Sequence, residues 1–137
     1  MSSPDSVGKG RRILVADEDP KVVEFIIKAL RADHHTVFHA FDGLSAVELA
    51  FALDECHLVI TNTKVDGLAG NELVQILRGR MPHLPMMYVA NTGSNPAFEA
   101  TLPRDVPILR EPFTADELRA MVTGLLDGDP RTPAGRL

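Results

Sequence analysis

Three carboxylates stand together in this chain: Asp17, Glu18 and Asp19, directly behind the apolar run Ile13-Leu14-Val15-Ala16. Adjacent carboxylates repel one another, and a purely structural position rarely selects them. Asp17 and Glu18 therefore read as a site. Asp19 reads differently, because with Pro20 behind it the aspartate is a helix N-cap and the proline opens the helix. Acid–base work is the chemistry that three acids suggest, but it needs company. The other short apolar runs end at Asn62-Thr63-Lys64, at Ala90-Asn91 and at Arg110-Glu111-Pro112-Phe113. No His, Ser or Cys nucleophile accompanies the acids at these ends, so an enzyme of that kind is the weaker reading.

The other reactive side chains have plainer readings. His34, His35, His39, His57 and His83 show no Cys/His metal spacing; only His35 and His39 are four apart, across an expected loop-to-strand junction. They read as solvated or partly buried. Cys56 is the single cysteine, which excludes a disulfide framework; it reads as a buried, inert thiol. Lys9, Arg11 and Arg12 read as a solvated terminus, since three charges give little nucleic-acid affinity. Gly67 and Gly70 belong to a loop without the Lys and Ser/Thr of a phosphate-cradling motif.

The elements that must position these residues alternate between two periods. Ile13 to Ala16 suits a strand covered on both faces. Val23, Ile26, Ile27 and Leu30 then follow at the spacing of one buried helix face. Thr36 to Ala40 is rich in strand formers, Asp42-Gly43 breaks it, and Leu44, Val47, Ala50 and Phe51 predict a second helical stripe. Leu58 to Thr61 is a third strand, followed by a Gly-bearing loop and a helix from about Gly70 to Arg78. Pro85 to Ala90 is a fourth strand. Asn91 to Arg104 carries Gly93, Pro96 and Pro103, so any helix there is short. Val106 to Leu109 is a fifth strand, and Thr114 to Glu117 is a capping box before a helix lined by Leu118, Met121, Val122 and Leu125. Five strands alternating with about five helices predict an α/β fold, a parallel sheet covered on both faces. In such a sheet the functional crevice lies outside the carboxyl ends of the strands.

A chain of 137 residues with 45% apolar side chains suits one domain with a sizeable core. Nineteen acidic against fourteen basic residues exclude a strongly basic nucleic-acid module. No apolar run approaches the roughly 18 residues that span a bilayer, and the N-terminus lacks the order of a signal peptide. The expectation is a cytoplasmic domain at residues 11–127 between flexible tails at 1–10 and 128–137, without a nucleic-acid or membrane partner.

Four segments together resemble a known family. Residues 13–20, Ile-Leu-Val-Ala-Asp-Glu-Asp-Pro, are similar to the opening strand and acidic cluster of the receiver domain of two-component response regulators. Residues 57–62, His-Leu-Val-Ile-Thr-Asn, are similar to the strand that delivers its phosphoacceptor. Gly70-Asn71-Glu72-Leu73 resembles the start of its third helix, and Glu111-Pro112-Phe113 stands where the family has Lys-Pro-Phe. The likeness covers about Arg12 to Leu126. It implies a flavodoxin-like, doubly wound five-stranded sheet in the order 2-1-3-4-5.

The resemblance also implies a chemistry, and the residues depart from it. The family uses an aspartate as oxygen nucleophile, an acidic pair to hold Mg²⁺, a lysine beside the phosphoryl group and a Thr or Ser hydroxyl to report it. Here the acidic pair is Asp17 and Glu18. The acceptor position holds Asn62, the hydroxyl position Ala90, the aromatic switch position Ile108 and the lysine position Glu111. An amide nitrogen is not nucleophilic, Ala90 has nothing to donate, and Glu111 repels what lysine attracts. The expectation is a stand-alone pseudo-receiver, not an enzyme, that acts by protein–protein docking without aspartyl phosphorylation. It needs no obligatory cofactor; Mg²⁺ at Asp17 and Glu18 is weak or vestigial. The alternative is a working phosphorelay receiver with a substitute acceptor such as Asp66, Thr61 or Thr63. The expected partner is a histidine kinase, a phosphotransfer protein or an output protein. It docks on the face of the fourth helix, fifth strand and fifth helix, which includes Arg119 and also serves homodimers.

Overall fold

A computed structural model describes residues 10–65, 67–91, 93 and 95–128, apart from the side chains of Lys64 and Phe98. The expected tails lie outside the described residues except at Gly10 and Gly128, and Asp66 also lies outside them. Five strands form one parallel sheet: β1 (Arg12–Ala16), β2 (Thr36–Ala40), β3 (Leu58–Asn62), β6 (Met86–Ala90) and β7 (Ile108–Arg110). They run in the order β2-β1-β3-β6-β7, which is 2-1-3-4-5 when the sheet strands alone are counted. The topology matches the expectation. A small antiparallel hairpin, β4 (Lys64–Val65) with β5 (Leu68–Ala69), sits in the stretch the sequence assigned to a loop. Gly67 at φ +87° supplies the left-handed residue that its turn requires.

Helices cover both faces. α1 (Pro20–Arg31) and α5 (Ala115–Asp127) pack on one side with Ile13, Val15, Leu58, Ile60, Met87 and Val89 of the sheet. α2 (Gly43–Ala52) and α3 (Gly70–Arg80) pack on the other, over Leu14, Ala16, Val59, Met86 and Tyr88. α4 (Pro96–Glu99) is a single turn, as the prolines around it predict. α1 begins as expected: the Asp19 side chain accepts from Lys21 N, and Val23, Ile26 and Leu30 are buried. α5 begins on a capping box, Thr114 Oγ1 accepting from Glu117 N while Glu117 Oε1 accepts from Thr114 N.

Three local expectations are corrected. α2 buries Gly43, Ala46 and Ala50, while Leu44 is 67% exposed and Val47 and Phe51 only flank the core. Small residues let this helix lie close to the sheet, and its first turn runs against Leu68 of the hairpin, 2.6 Å from where a Cβ on Gly43 would stand. The fifth strand starts at Ile108 and not at Val106, which is buried ahead of the ladder. α5 buries Leu126, with Leu125 and Met121 at the margin.

Candidate functional site

The chain order reverses between β1 and β3, so their carboxyl ends flank the crevice of the sheet. Asp17 follows β1 and is held there by its backbone N–H donating to Ala40 O at 3.1 Å. Its carboxylate is almost fully buried, at 2% exposure. Oδ1 accepts from Asp19 N at 2.9 Å, and Oδ2 accepts from Asn62 Nδ2 at 3.1 Å. Asn62 ends β3, and the same Nδ2 donates to Asn91 Oδ1 at 2.9 Å. One amide nitrogen thus ties together the ends of β1, β3 and β6. Thr63 Oγ1 donates to Asn62 Oδ1 at 3.4 Å, and Thr61 Oγ1 to Asn62 O at 3.0 Å; both threonines are buried.

Glu111 closes the crevice from the end of β7, where its N–H donates to Ala90 O at 2.9 Å before a cis bond to Pro112. Its Oε2 is shielded from solvent and has no hydrogen-bond partner among the described residues. Burial pushes the Glu111 carboxyl above its usual range, and the charges of Asp17 and Asp19 push it the same way. Burial also raises Asp17; the hydrogen bonds from Asp19 and Asn62 oppose the rise, and the Asp19 charge adds to it. The acids that act on one another are therefore Asp17, Asp19 and Glu111. Glu18 is exposed. Asp19 was read as a helix cap alone, and it is also the third charge of the cluster.

Sequence reasoning missed Asn91 as a working part of this network, although its place behind β6 was visible. Ala90 is fully buried and Ile108 half-buried against the α2/α3 core. On the same side of the sheet as Ile108, the buried Glu99 of α4 pairs with Arg110 of β7. Arg119 does not stand free on α5: it pairs with Asp116 on its own helix and reaches Asp33, just beyond α1, at 3.8 Å. A groove of about 280 Å³ opens beside the crevice, lined by Lys21, Val22, Phe25, Glu111, Pro112 and Phe113.

Mg²⁺, which the resemblance implies, would draw here on Asp17, each of whose oxygens accepts one hydrogen bond and keeps a second lone pair, while Asn62 turns its amide nitrogen, which cannot ligate a cation, toward the same carboxylate. Among the described residues no three His, Cys, Asp or Glu side chains are grouped to hold a metal. No helix among them is long and apolar enough to cross a membrane.

Comparison with known proteins agrees with this geometry. Residues 13–123 match the family model of the response regulator receiver domain. The response regulator receiver protein CpdR of Brucella abortus is 31% identical over 111 residues, covering 79% of this chain and 90% of that protein. The response regulator protein FleR of Pseudomonas aeruginosa is 29% identical over 81% of this chain, which spans only 24% of FleR. A crystal structure of a response regulator receiver protein from Sinorhizobium medicae WSM419 superposes with a TM-score of 0.78 over 88% of this chain and 97% of that one. At 21% identity that likeness speaks for the fold alone. Sheet order and sequence thus agree, and the chain belongs to the response regulator receiver domain family.

Proposed function

We propose that this receiver is a pseudo-receiver, which signals by docking onto a protein partner without being phosphorylated on aspartate. Receiver domains in two-component systems work with histidine kinases and output domains. The observation that carries the reading is Asn62 at the acceptor position, its amide nitrogen committed to Asp17 and Asn91. An acyl phosphate needs a carboxylate oxygen there and positive charge beside it. Here the acceptor position holds an amide, and the lysine position holds Glu111, whose Oε2 has no hydrogen-bond partner among the described residues. The Thr61 and Thr63 hydroxyls are poor substitutes, being buried and already donating to Asn62.

Docking then falls to the outer faces. The face of α4, β7 and α5 is the surface for a histidine kinase, a phosphotransfer protein, an output protein or a second copy. The Glu99–Arg110 pair ties α4 to β7 on that face, which supports one standing arrangement in place of a phosphorylation-driven switch. The test is direct. Incubated with acetyl phosphate and Mg²⁺, the protein gains no phosphoryl mass by intact-mass spectrometry. A stoichiometric, acid-labile adduct on any residue overturns the proposal.

A further inference from the structure

We infer that the open edge of β2 pairs antiparallel with β2 of a second copy of this chain, in a register centred on Phe38, so that two sheets become one. The inference goes beyond the docking proposed above. The second copy takes the edge of the sheet opposite the α4–β7–α5 face and leaves that face to other partners.

The two edges of the sheet, β2 and β7, are built differently. β7 carries the devices that keep an edge strand from pairing. It has three residues, Pro107 precedes it, Arg110 ends it and Pro112 follows Glu111. β2 has five residues, Thr36 to Ala40, with no charge, proline or glycine among them. Thr36 N donates to Arg11 O and Ala40 O accepts from Asp17 N, which fixes the phase of the strand. Thr36, Phe38 and Ala40 turn their main-chain groups to β1, so Val37 and His39 turn theirs to the open edge. The helices do not close over this edge: Thr36 and His39 are exposed and Phe38 is half-buried. Just beyond the strand, Phe41 is 42% exposed and meets His39 edge to face, ring centroids 5.0 Å apart.

The phase of the strand selects the occupant. Paired with its own copy about Phe38, β2 sets Val37 opposite the second copy's His39, and His39 opposite its Val37. Both are outward residues, so each pair exchanges N–H···O bonds in both directions. Phe38 meets its own copy as a non-hydrogen-bonded pair, whose Cα atoms approach to about 4.5 Å and whose side chains touch. Two half-buried aromatic rings are covered by one contact. His39 and its stacked Phe41 lie over the second copy's Val37, on the α1 side of the sheet. No like charges oppose each other along the strand, and on the same register Asp42 falls toward the second copy's His34, an acid against an imidazole.

Sedimentation velocity of the whole chain, from micromolar to millimolar concentration, tests this. The expected result is a reversible monomer–dimer equilibrium with a dissociation constant of roughly 10–100 μM, the strength of a small interface. The amide protons of Val37 and His39 should exchange about tenfold more slowly in the dimer than in the monomer. His39→Pro removes a donor that β1 does not use, and should return the chain to monomer. His39→Lys leaves the backbone as it is and sets two lysines diagonally across the axis, so it should weaken the dimer several-fold at low salt. Circular dichroism checks that both variants fold, and the lysine variant decides the matter if proline disturbs β2. A chain that stays monomeric at millimolar concentration overturns the inference. So does a dimer that both variants leave intact, or one whose Val37 and His39 amides exchange freely. A single chain whose β2 amides are protected by a co-purifying polypeptide overturns it as well. These measurements use no phosphoryl donor, so an acetyl phosphate adduct bears on the pseudo-receiver reading alone.

Discussion

At Asn62 an amide nitrogen stands where the family has a carboxylate oxygen, and an acceptor position becomes a hydrogen-bond donor. The Nδ2 donor neutralises nothing, yet it satisfies Asp17 Oδ2 at 3.1 Å and fastens Asn91 to the same point. Asn62→Asp removes that donor and sets two carboxylates against each other. It should cost about 1–3 kcal/mol in urea unfolding at pH 7. The loss should shrink toward pH 4, where one of the pair is protonated; a loss that does not change with pH would mean the carboxylates do not meet. The same variant should still phosphorylate poorly from acetyl phosphate, because Glu111 repels the incoming group. Asn62→Asp with Glu111→Lys should be markedly faster, and adding Ala90→Thr should alter signalling more than transfer. If the single variant matches the triple one in rate, Glu111 has no electrostatic part in the crevice. Positions 17, 62, 90 and 111 were legible because each ends a strand whose apolar run is unmistakable. The network between them was not. Hydrogen bonds from Asn62 to Asn91, and the charge of Asp19 acting on Glu111, depend on where three loops fold back, and spacing along the chain does not encode that.

The elements differ in how openly the sequence declares them, and side-chain volume explains the difference. α1 was legible because Val23, Ile26 and Leu30, large apolar residues at helical spacing, are among its buried ones, each worth about 1.5–3 kcal/mol of burial. In α2 those two properties separate. Ala46 and Ala50 face the sheet and Leu44 faces water, so a stripe of large apolar residues points to the wrong flank. The β4/β5 hairpin escaped notice because two-residue strands carry no period to detect. α3 shows what the hairpin is for. Gly70 N donates to Thr63 O at 2.8 Å, and a Cβ at Gly70 would lie 2.5 Å from that same oxygen and 2.7 Å from Tyr88 Cε1. The hairpin thus returns the chain to the end of β3, and only glycine fits where α3 starts. Gly70→Ala should destabilise by about 1–3 kcal/mol, since the obstructing atom is backbone and cannot swing away. Gly79→Ala is the control. It lies in the same helix with nothing within 4 Å of its added methyl, and should be neutral or slightly stabilising. Equal effects at the two sites would mean that the α3–β3 contact is looser than these distances.

Across the whole molecule, the two edges of the sheet carry opposite proton chemistry. At the carboxyl edge, Asp17 and Glu111 are raised from ordinary values of 3.8 and 4.5. A raised acid contributes stability below its unfolded pKa and loses it as pH climbs through the folded one, so this edge favours acid. The amino edge is held by histidines. β1 enters between β2 and β3, and the N–H groups of Arg11, just ahead of it, and of Arg12, its first residue, donate to His35 Nδ1 at 3.1 Å and His57 Nδ1 at 2.9 Å. Each nitrogen must be unprotonated to accept. Burial lowers His35 from 6.5, Asp33 opposes that, and Arg11, His34 and His57 add to it. A lowered base contributes stability above its unfolded pKa and loses it as pH falls, so this edge favours the neutral side. Between about pH 4.5 and 6.5 the two contributions oppose, and unfolding free energy should change little with pH in wild type. Weakening either edge lets the other show. Glu111→Gln keeps the histidines, and its stability should rise with pH across that interval. His35→Asn keeps an acceptor for Arg11 but does not titrate, and its stability should fall with pH. Urea unfolding at four or five pH values between 4.5 and 7.5 measures both slopes. Slopes of the same sign in the two variants would show that the edges do not act as a balanced pair, and that the crevice acids do not govern how this receiver responds to protons.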